Sequence, residues 1–221
     1  MKSDFATSLL ETQKIHGHLC AGQVLGIRMS LLGLREIGIR EPKGEDRKNL
    51  IVFVEIDRCA TDAIQSTTGC SFGKRTMKFF DYGKMAATFL NLKTGKAVRI
   101  AAKEEARQKA KGYFPEIGDK DLAQREAYKV MPDDELFLVQ DVVVTIPDHD
   151  RPGRPLSHVI CDVCGEGIND RREVRLNGQV LCRPCAEGSY YRMGIGFFIQ
   201  PDIVKQRIRV GDLGKQGPSV D

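Results

Sequence analysis

The hydrophobic positions at the start of the chain recur with the spacing of helices. Residues 4–15 carry four large apolar side chains on roughly one side: Phe5, Leu9, Leu10 and Ile15. Residues 21–37 are apolar on almost every side, which predicts a second helix that is buried. Gly22, Gly26 and Gly33 share a stripe on this second helix, so another part of the backbone can approach it closely.

From residue 50 onward the pattern changes to strands separated by turns. Leu50–Ile56 is a continuous apolar run rich in β-branched residues, which is typical of a central strand. Thr61 and Asp62 suit the start of a short helix over 63–67. Further along, the pattern predicts strands over 76–82, 86–92, 97–101 and 136–146, and helices over 103–112 and 119–131. This mixture predicts an α+β fold in which helices pack against a sheet.

Proline and glycine mark a boundary in the second half of the chain. Residues 147–157, with the sequence PDHDRPGRPLS, hold three prolines and one glycine, which predicts a linker. It separates a core domain of residues 1–146 from a cysteine-rich domain of residues 158–200. Residues 201–221 are predicted to form an extended tail.

The composition is that of a soluble globular protein. The 221 residues are 41% hydrophobic and 29% charged, with a formal net charge of +4. No segment approaches the ~20 apolar residues of a membrane span, and the N-terminal residues lack the apolar stretch of an export signal. We therefore expect a cytoplasmic protein with no membrane partner. Residues from 151 onward carry 11 basic and 8 acidic side chains, an excess too small to predict nucleic-acid binding by itself.

Four of the seven cysteines form two CxxC pairs near the C-terminus. Cys161 and Cys164 make the first pair, and Cys182 and Cys185 follow after 17 residues. At this spacing four thiolates can surround one structural zinc ion. Two disulfides, or a redox-active pair, are the alternatives. The first requires an export signal and the second a βαβ pattern, and the sequence lacks both.

The residues around these cysteines predict the shape of the zinc domain. Gly165 suits the tight turn after the first pair, and Asn177-Gly178 lies between alternating apolar residues, which is a strong hairpin signal. A helix is predicted over residues 186–193. Knuckle, hairpin and helix together describe a treble-clef zinc site. Such domains bind nucleic acid, bind protein or brace a dimer, and the sequence leaves these roles open.

A second group of chemically active residues lies in the first third of the chain. His16, His18 and Cys20 fall within five residues, immediately before the buried helix. Cys59 follows the predicted central strand, and Asp62 lies one helical turn further on. A thiol at a helix N-terminus is expected to have a lowered pKa. Cys70 lies in a glycine-flanked loop, TTGCSFGK, whose backbone N–H groups could face an anion.

This second group has two functional interpretations and one structural one. The histidines, Cys20 and Cys59 could hold a second metal ion with an open coordination position. Alternatively Cys59 or Cys20 is a nucleophile or redox thiol with a histidine as its base. The structural interpretation is that these are simply small residues buried where helices begin.

The same residues resemble the FmdE family, which is named after a component of formylmethanofuran dehydrogenase. The matching segments are HGHLCAG (16–22), DRCATDAIQSTTGCSFGK (57–74) and DYGK (81–84), although many members have proline where this chain has Ala21. The resemblance implies helices on a mixed β-sheet, similar to the catalytic domain of glyceraldehyde-3-phosphate dehydrogenase, and a homodimer. It also implies an active site at six residues of this chain: His16, His18, Cys20, Cys59, Asp62 and Cys70.

Three functions are compatible with these observations. The first is an enzyme or accessory protein of one-carbon or molybdenum-linked metabolism, associated with other subunits of a molybdenum or tungsten enzyme. This chain has no molybdopterin or iron–sulfur motif of its own. The second is a regulatory or binding module whose core senses a ligand or metal and whose zinc domain contacts nucleic acid or protein. The third is a metal-trafficking or sulfur-handling accessory that uses Cys20 and Cys59.

Overall fold

The computed structural model describes residues 5–192, which form parts of two compact units, Met1–Pro147 and Asp148–Asp221. The predicted tail over 201–221 and the end of the predicted cysteine-rich domain, residues 193–200, lie outside the described residues. Residues 148–157, predicted to be a linker, belong to the same compact unit as the cysteines. In the part of the chain that is described, no helix is both long and apolar enough to cross a membrane.

The first unit consists of helices and one five-stranded sheet. Its helices are α1 (Phe5–His16), α2 (Ala21–Glu36), α3 (Cys59–Thr68), α4 (Glu104–Tyr113), α5 (Lys120–Val130) and α6 (Asp133–Leu136). Its strands are β1 (Leu50–Val54), β2 (Met77–Phe79), β3 (Ala86–Asn91), β4 (Ala97–Ala102) and β5 (Phe137–Val142), in the order β2-β1-β3-β4-β5. β1 is parallel to β2 and the other pairs are antiparallel, so the sheet is mixed and the predicted fold class is confirmed.

The parallel pair of β1 and β2 determines where the chemistry lies. Parallel neighbours need a crossover connection, and here α3 lies within that connection. The crossover leaves from the carboxyl end of β1, so Cys59 and Asp62 lie just beyond the end of a strand that is almost wholly buried. This is the position at which α/β sheets commonly bind ligands.

Several elements differ in length from the prediction. α3 begins at Cys59, four residues before the predicted Ala63, because Arg58 is extended and acts as its N-cap residue. β2 is shorter than predicted, since the chain after Phe79 curls around the end of β1 and the N–H of Phe80 donates to the carbonyl of Val54 at 3.0 Å. The last strand of the sheet ends at Val142 instead of residue 146.

The glycine stripe of α2 permits the close contacts that the sequence predicts. A Cβ on Gly26 would lie 2.4 Å from the carbonyl oxygen of Ala60 in α3. A Cβ on Gly33 would lie 2.3 Å from the ring of Phe89 in β3. Only glycine fits at such separations, so the stripe brings α2 directly against both α3 and the sheet.

Within residues 148–192, the described part of the second unit, the chain forms two small hairpins and a short helix. These elements are β6 (His158–Ile160), β7 (Gly167–Asn169), β8 (Val174–Leu176), β9 (Gln179–Leu181) and α7 (Arg183–Glu187). β6 pairs with β7, and β8 pairs with β9 across the turn that Asn177 and Gly178 form with positive φ angles of 51° and 80°. α7 begins earlier than the predicted helix over 186–193, because Pro184 favours the first turn of a helix directly after Cys182.

Candidate metal centres

The four C-terminal cysteines converge on one point of the second unit. Cys161 and Cys164 lie between β6 and β7, while Cys182 precedes α7 and Cys185 lies within it. All four are free thiols, and their Sγ atoms lie within 4.8 Å of one another. The Sγ atoms of Cys164 and Cys182 are 3.7 Å apart. Four sulfur atoms placed tetrahedrally at about 2.3 Å from zinc are separated by nearly this distance.

The backbone around these cysteines favours the thiolate of Cys161, whereas burial opposes ionisation of Cys164 and Cys185. Burial opposes ionisation of Cys161, but backbone N–H groups of Cys164, Cys182 and Val163 outweigh it and lower its pKa to about 6. One of these donors, the N–H of Cys182, lies 3.3 Å from the Cys161 sulfur. Burial raises the pKa of Cys164 to about 11, and burial with the neighbouring thiols raises the pKa of Cys185 further. A bound divalent cation supplies the charge that lets these thiols ionise.

A second cluster lies in the first unit, where three helix ends meet. His16 is the last residue of α1, Cys20 precedes α2 and Cys59 is the first residue of α3. Each offers one ligand atom, these atoms lie within 4.8 Å of one another, and all three residues are half-buried. Gly22 in the first turn of α2 lies beside the cluster: a Cβ at this position would be in ordinary contact with the Cβ of Cys59 at 3.5 Å and with the Sγ of Cys20 at 3.8 Å.

Asp62 positions the imidazole of this cluster. Its Oδ2 atom lies 2.7 Å from the Nδ1 atom of His16. A carboxylate on one ring nitrogen fixes the tautomer and the orientation of the ring, and it leaves the other nitrogen, here Nε2, available as a metal ligand. The structure therefore brings the predicted residues His16, Cys20, Cys59 and Asp62 together.

His18 and Cys70 occupy different surroundings. The ring of His18 is exposed and its centroid lies 4.8 Å from that of His16, so it borders the cluster. Cys70 lies in the hydrophobic core with 3% of its surface exposed, and its Sγ donates to the carbonyl of Leu50 at 3.9 Å. Burial raises the pKa of Cys70. Cys70 thus has the surroundings of a structural thiol and is not part of the ligand cluster.

The thiol of Cys59 is not activated by its helix. Burial raises the pKa of Cys59, and the neighbouring Cys20 thiol and the charge of Asp62 raise it further. The backbone at the start of α3 acts in the opposite direction but does not overcome them. The lowered pKa that the sequence predicts for a thiol at a helix N-terminus is therefore not found at Cys59, because desolvation and nearby negative groups dominate.

Two residues that the sequence pattern did not single out hold the loop between α1 and α2. Gln23 is fully buried, and its Oε1 accepts the backbone N–H of Cys20 at 3.0 Å. Its Nε2 has no hydrogen-bond partner among the described residues, which leaves an unsatisfied donor close to the cluster. Arg125 in α5 donates to the carbonyl of Leu19 at 3.3 Å. The capping-box spacing of Cys20 and Gln23 could have identified Gln23, but nothing in the sequence links Arg125 to Leu19.

Comparison with known proteins identifies both parts of the chain. Residues 15–144 match the family described as FmdE, molybdenum formylmethanofuran dehydrogenase operon, which accounts for more than half of the chain. The chain belongs to this family. Residues 154–191 match the prokaryotic dksA/traR C4-type zinc finger, which contains the four clustered cysteines. The predicted family and the predicted zinc finger are both confirmed.

The chain is also similar to one curated protein and to one solved structure. A probable S-adenosyl-L-methionine-binding protein of Archaeoglobus fulgidus is 33% identical in an alignment of 133 residues that covers 57% of this chain and 35% of that protein. The chain thus spans about a third of that relative's length. The crystal structure of a tungsten formylmethanofuran dehydrogenase FmdE-like protein from Syntrophus aciditrophicus is 21% identical, with a TM-score of 0.58 over 86% of this chain and 96% of that one. This likeness shows that the two proteins share a fold.

Proposed function

We propose that this protein is an enzyme or accessory protein of one-carbon, molybdenum-linked metabolism whose core cluster binds a metal ion. The observation that carries the proposal is the convergence of ligand atoms from His16, Cys20 and Cys59 to within 4.8 Å. Two thiolates and one imidazole are a donor set that zinc accepts, and three protein ligands leave one position open. The description of the family, which refers to a molybdenum formylmethanofuran dehydrogenase operon, supports the metabolic assignment.

The surroundings of Cys59 favour a metal ligand over a free nucleophile. A nucleophilic thiol needs a lowered pKa, whereas burial and the Cys20 thiol raise the pKa of Cys59. A cation among these groups reverses that effect, because it stabilises both thiolates at once.

Each residue then has a distinct role. Cys20, Cys59 and the Nε2 atom of His16 would hold the ion, and Asp62 would keep the His16 ring in the orientation that this requires. When bound, a divalent ion at such a site supplies a Lewis acid that polarises an oxygen-containing ligand. His18 is exposed beside His16 and would pass a proton between that ligand and solvent.

Metal analysis tests this proposal. The full chain is expected to hold more metal than its four-cysteine zinc finger alone accounts for, and C20S and C59S are each expected to lose that additional ion. The matched control is Cys70→Ala, which removes a thiol from the same unit but outside the cluster and should retain both ions. Equal metal content in C59S and the parent protein would contradict the proposal.

Cobalt spectroscopy tests the open position. With cobalt in the core site, the d–d bands should shift on addition of formate, a one-carbon oxygen donor. A spectrum that no small oxygen ligand alters would indicate a closed, structural site.

The same family membership suggests partners for the protein. We propose a homodimer that associates with subunits of a molybdenum or tungsten formylmethanofuran dehydrogenase. Purified full-length protein should co-elute with the purified enzyme in size-exclusion chromatography at micromolar concentration. Separate elution at those concentrations would argue against the accessory role. The protein would then be proposed to act as an enzyme independently of that complex.

S-adenosyl-L-methionine is a second candidate ligand. The observation in its favour is the name of the Archaeoglobus fulgidus relative, a probable S-adenosyl-L-methionine-binding protein. Titration calorimetry of the full chain with S-adenosyl-L-methionine should give saturable heat if this chain shares that property. An absence of heat up to millimolar ligand would exclude it.

A further inference from the structure

The segment of residues 148–157 is fixed to the zinc finger and does not merely precede it. The backbone N–H of Leu156 donates to Oδ1 of Asp170 at 3.1 Å. The N–H of Asp170 donates to the carbonyl of Ser157 at 3.0 Å, and the N–H of Arg171 donates to the Ser157 hydroxyl at 2.8 Å. These three bonds dock the proline-rich segment onto the turn between β7 and β8.

Arg172 completes this attachment. Its guanidinium lies 2.9 Å from a carboxylate oxygen of Asp150 and 3.2 Å from one of Asp170, so it bridges the segment and the turn. Asp170 and Arg171 both have positive φ angles, 60° and 55°, which are uncommon for non-glycine residues. The turn is therefore fixed in an unusual conformation by the segment that it contacts.

The docked segment and the turn line an open cleft of about 550 Å³ at the surface of the unit. Its size falls within the range of sites for small ligands, roughly 300–1,000 Å³. Three arginines contribute to its wall, together with one carboxylate and several apolar or backbone groups. The side chains that matter here are Arg151, Arg154, Arg171, Asp148, Pro152 and Leu156.

The cleft carries positive charge that the described protein does not neutralise. Arg151 lies 3.5 Å from Asp148, whereas Arg154 and Arg171 have no carboxylate partner among residues 5–192. Arg172 in the same unit is paired with two aspartates and Arg175 with Glu173 at 3.3 Å. Arg183 and Arg192 have no carboxylate partner among the described residues either, but they do not line the cleft. Unpaired guanidinium groups on a concave surface favour an anion, and their planar geometry suits the oxygen atoms of phosphate.

We propose that this cleft binds a phosphorylated small molecule of about nucleotide size. Arg154 and Arg171 contact the phosphate, and Arg151 adds charge next to it. Pro152 and Leu156 offer apolar surface to the rest of the ligand. The proline-rich backbone is largely preorganised, so less conformational entropy is lost on binding. This site is independent of the core metal cluster, and it gives the zinc finger a role as a ligand-binding unit.

Titration of the full chain with inorganic phosphate and with adenosine monophosphate tests the proposal. Both should bind and compete with each other, and affinity should fall as salt is raised because the interaction is electrostatic. R154Q and R171Q should each weaken binding by about tenfold, as expected for loss of a charge-assisted hydrogen bond. The matched control is R192Q, an exposed arginine in the same unit that does not line the cleft.

Each alternative result is distinguishable. Unchanged zinc content in the variants would show that a weaker affinity does not come from unfolding. Equal weakening in R192Q would attribute binding to general charge and overturn the proposal. Binding of a single-stranded oligonucleotide that depends on Arg154 but is not displaced by phosphate or adenosine monophosphate would also overturn it, in favour of a nucleic-acid surface.

Discussion

The Nδ1 atom of His16 and the Oδ2 atom of Asp62 lie 2.7 Å apart, joining the end of α1 to the first turn of α3. These residues are 46 positions apart in the sequence. Their contact fixes the orientation of the His16 imidazole, which lies next to the thiols of Cys20 and Cys59. Asp62 is therefore a positioning residue, because it acts on the site through His16.

Replacing Asp62 with asparagine should weaken metal binding at the core cluster by about 10–100-fold, the usual effect of losing a carboxylate behind a ligating histidine. The affinity is measured by competition with a chromogenic chelator. Asp57→Asn removes an exposed carboxylate from the same connection and should leave the affinity unchanged. If both variants bind metal as the parent protein does, the positioning role of Asp62 is wrong.

The thiol of Cys59 should react slowly when the metal is removed. Because its pKa is raised above the ordinary value of 9.0, thiolate is scarce at pH 7 and alkylation should accelerate only as the pH rises beyond 9. Mass spectrometry after timed treatment with iodoacetamide gives the rate at each pH. In Cys20→Ala the pKa of Cys59 should fall and the rate at pH 8 should rise, since the neighbouring thiol is one cause of the shift. Rapid alkylation at pH 7 would instead indicate a catalytic thiol.

Gly26 should not tolerate a side chain. Alanine there would place a Cβ 2.4 Å from the carbonyl of Ala60 and force α2 away from α3, at a cost of about 1–3 kcal/mol in unfolding free energy. The same change at Gly112 in α4 meets no atom within 4 Å and should stabilise the protein by up to about 1 kcal/mol. Chemical denaturation of the two variants measures both effects. Equal stability would mean that the helices do not pack as closely as described.

Arg28 should be essential to the packing of α5 against α2. Its guanidinium donates to the carbonyls of Tyr128, Lys129 and Met131 and to Asp133, and so satisfies the C-terminal end of α5. Arg28→Gln should lower the free energy of unfolding by about 2–4 kcal/mol, because buried acceptors lose their partner. Arg35→Gln removes an exposed guanidinium that contacts the same aspartate and should cost much less.

The same contact predicts a dependence on pH. Burial opposes ionisation of Asp133, but Arg28 and Arg35 outweigh it and lower its pKa. This group therefore adds stability above its unfolded pKa of about 3.9, and the contribution is lost as the pH falls through the lower, folded value. The acid-induced loss of stability should be shallower in Arg28→Gln. If the free energy of unfolding falls equally steeply with decreasing pH in Arg28→Gln and in the parent protein, Asp133 does not make this contribution.

The sequence predicts those parts of the fold that are determined by the residues of a single segment. Leu50–Ile56 is apolar at almost every position, which identifies the central strand, and the two CxxC pairs have a spacing with few alternatives. The sequence also predicts α1, but only two of its four predicted apolar residues, Phe5 and Leu9, pack against the core. Leu10 and Ile15 are 64% and 61% exposed, whereas the small polar residues Ser8 and Thr12 are fully buried. α1 lies against α3, where close helix packing selects small side chains over apolar ones.

Contacts between residues that are distant in the sequence cannot be predicted from any single segment. Cys70 shares a loop and a residue type with the core site, yet its side chain points into the hydrophobic core. In the sequence, Arg28, Arg125 and the arginines of the cleft cannot be distinguished from ordinary surface charges. Their roles arise from carbonyl groups, turns and carboxylates that only the folded chain brings to them.

The decisive test of the core metal site is a crystal structure of the full-length protein with anomalous data collected at metal absorption edges. We expect two anomalous peaks per chain, one surrounded by the four cysteine sulfurs of the zinc finger and one within bonding distance of Cys20, Cys59 and Nε2 of His16. A single peak at the zinc finger, with no ion at the core cluster in protein purified without chelators, would contradict the proposed metal site.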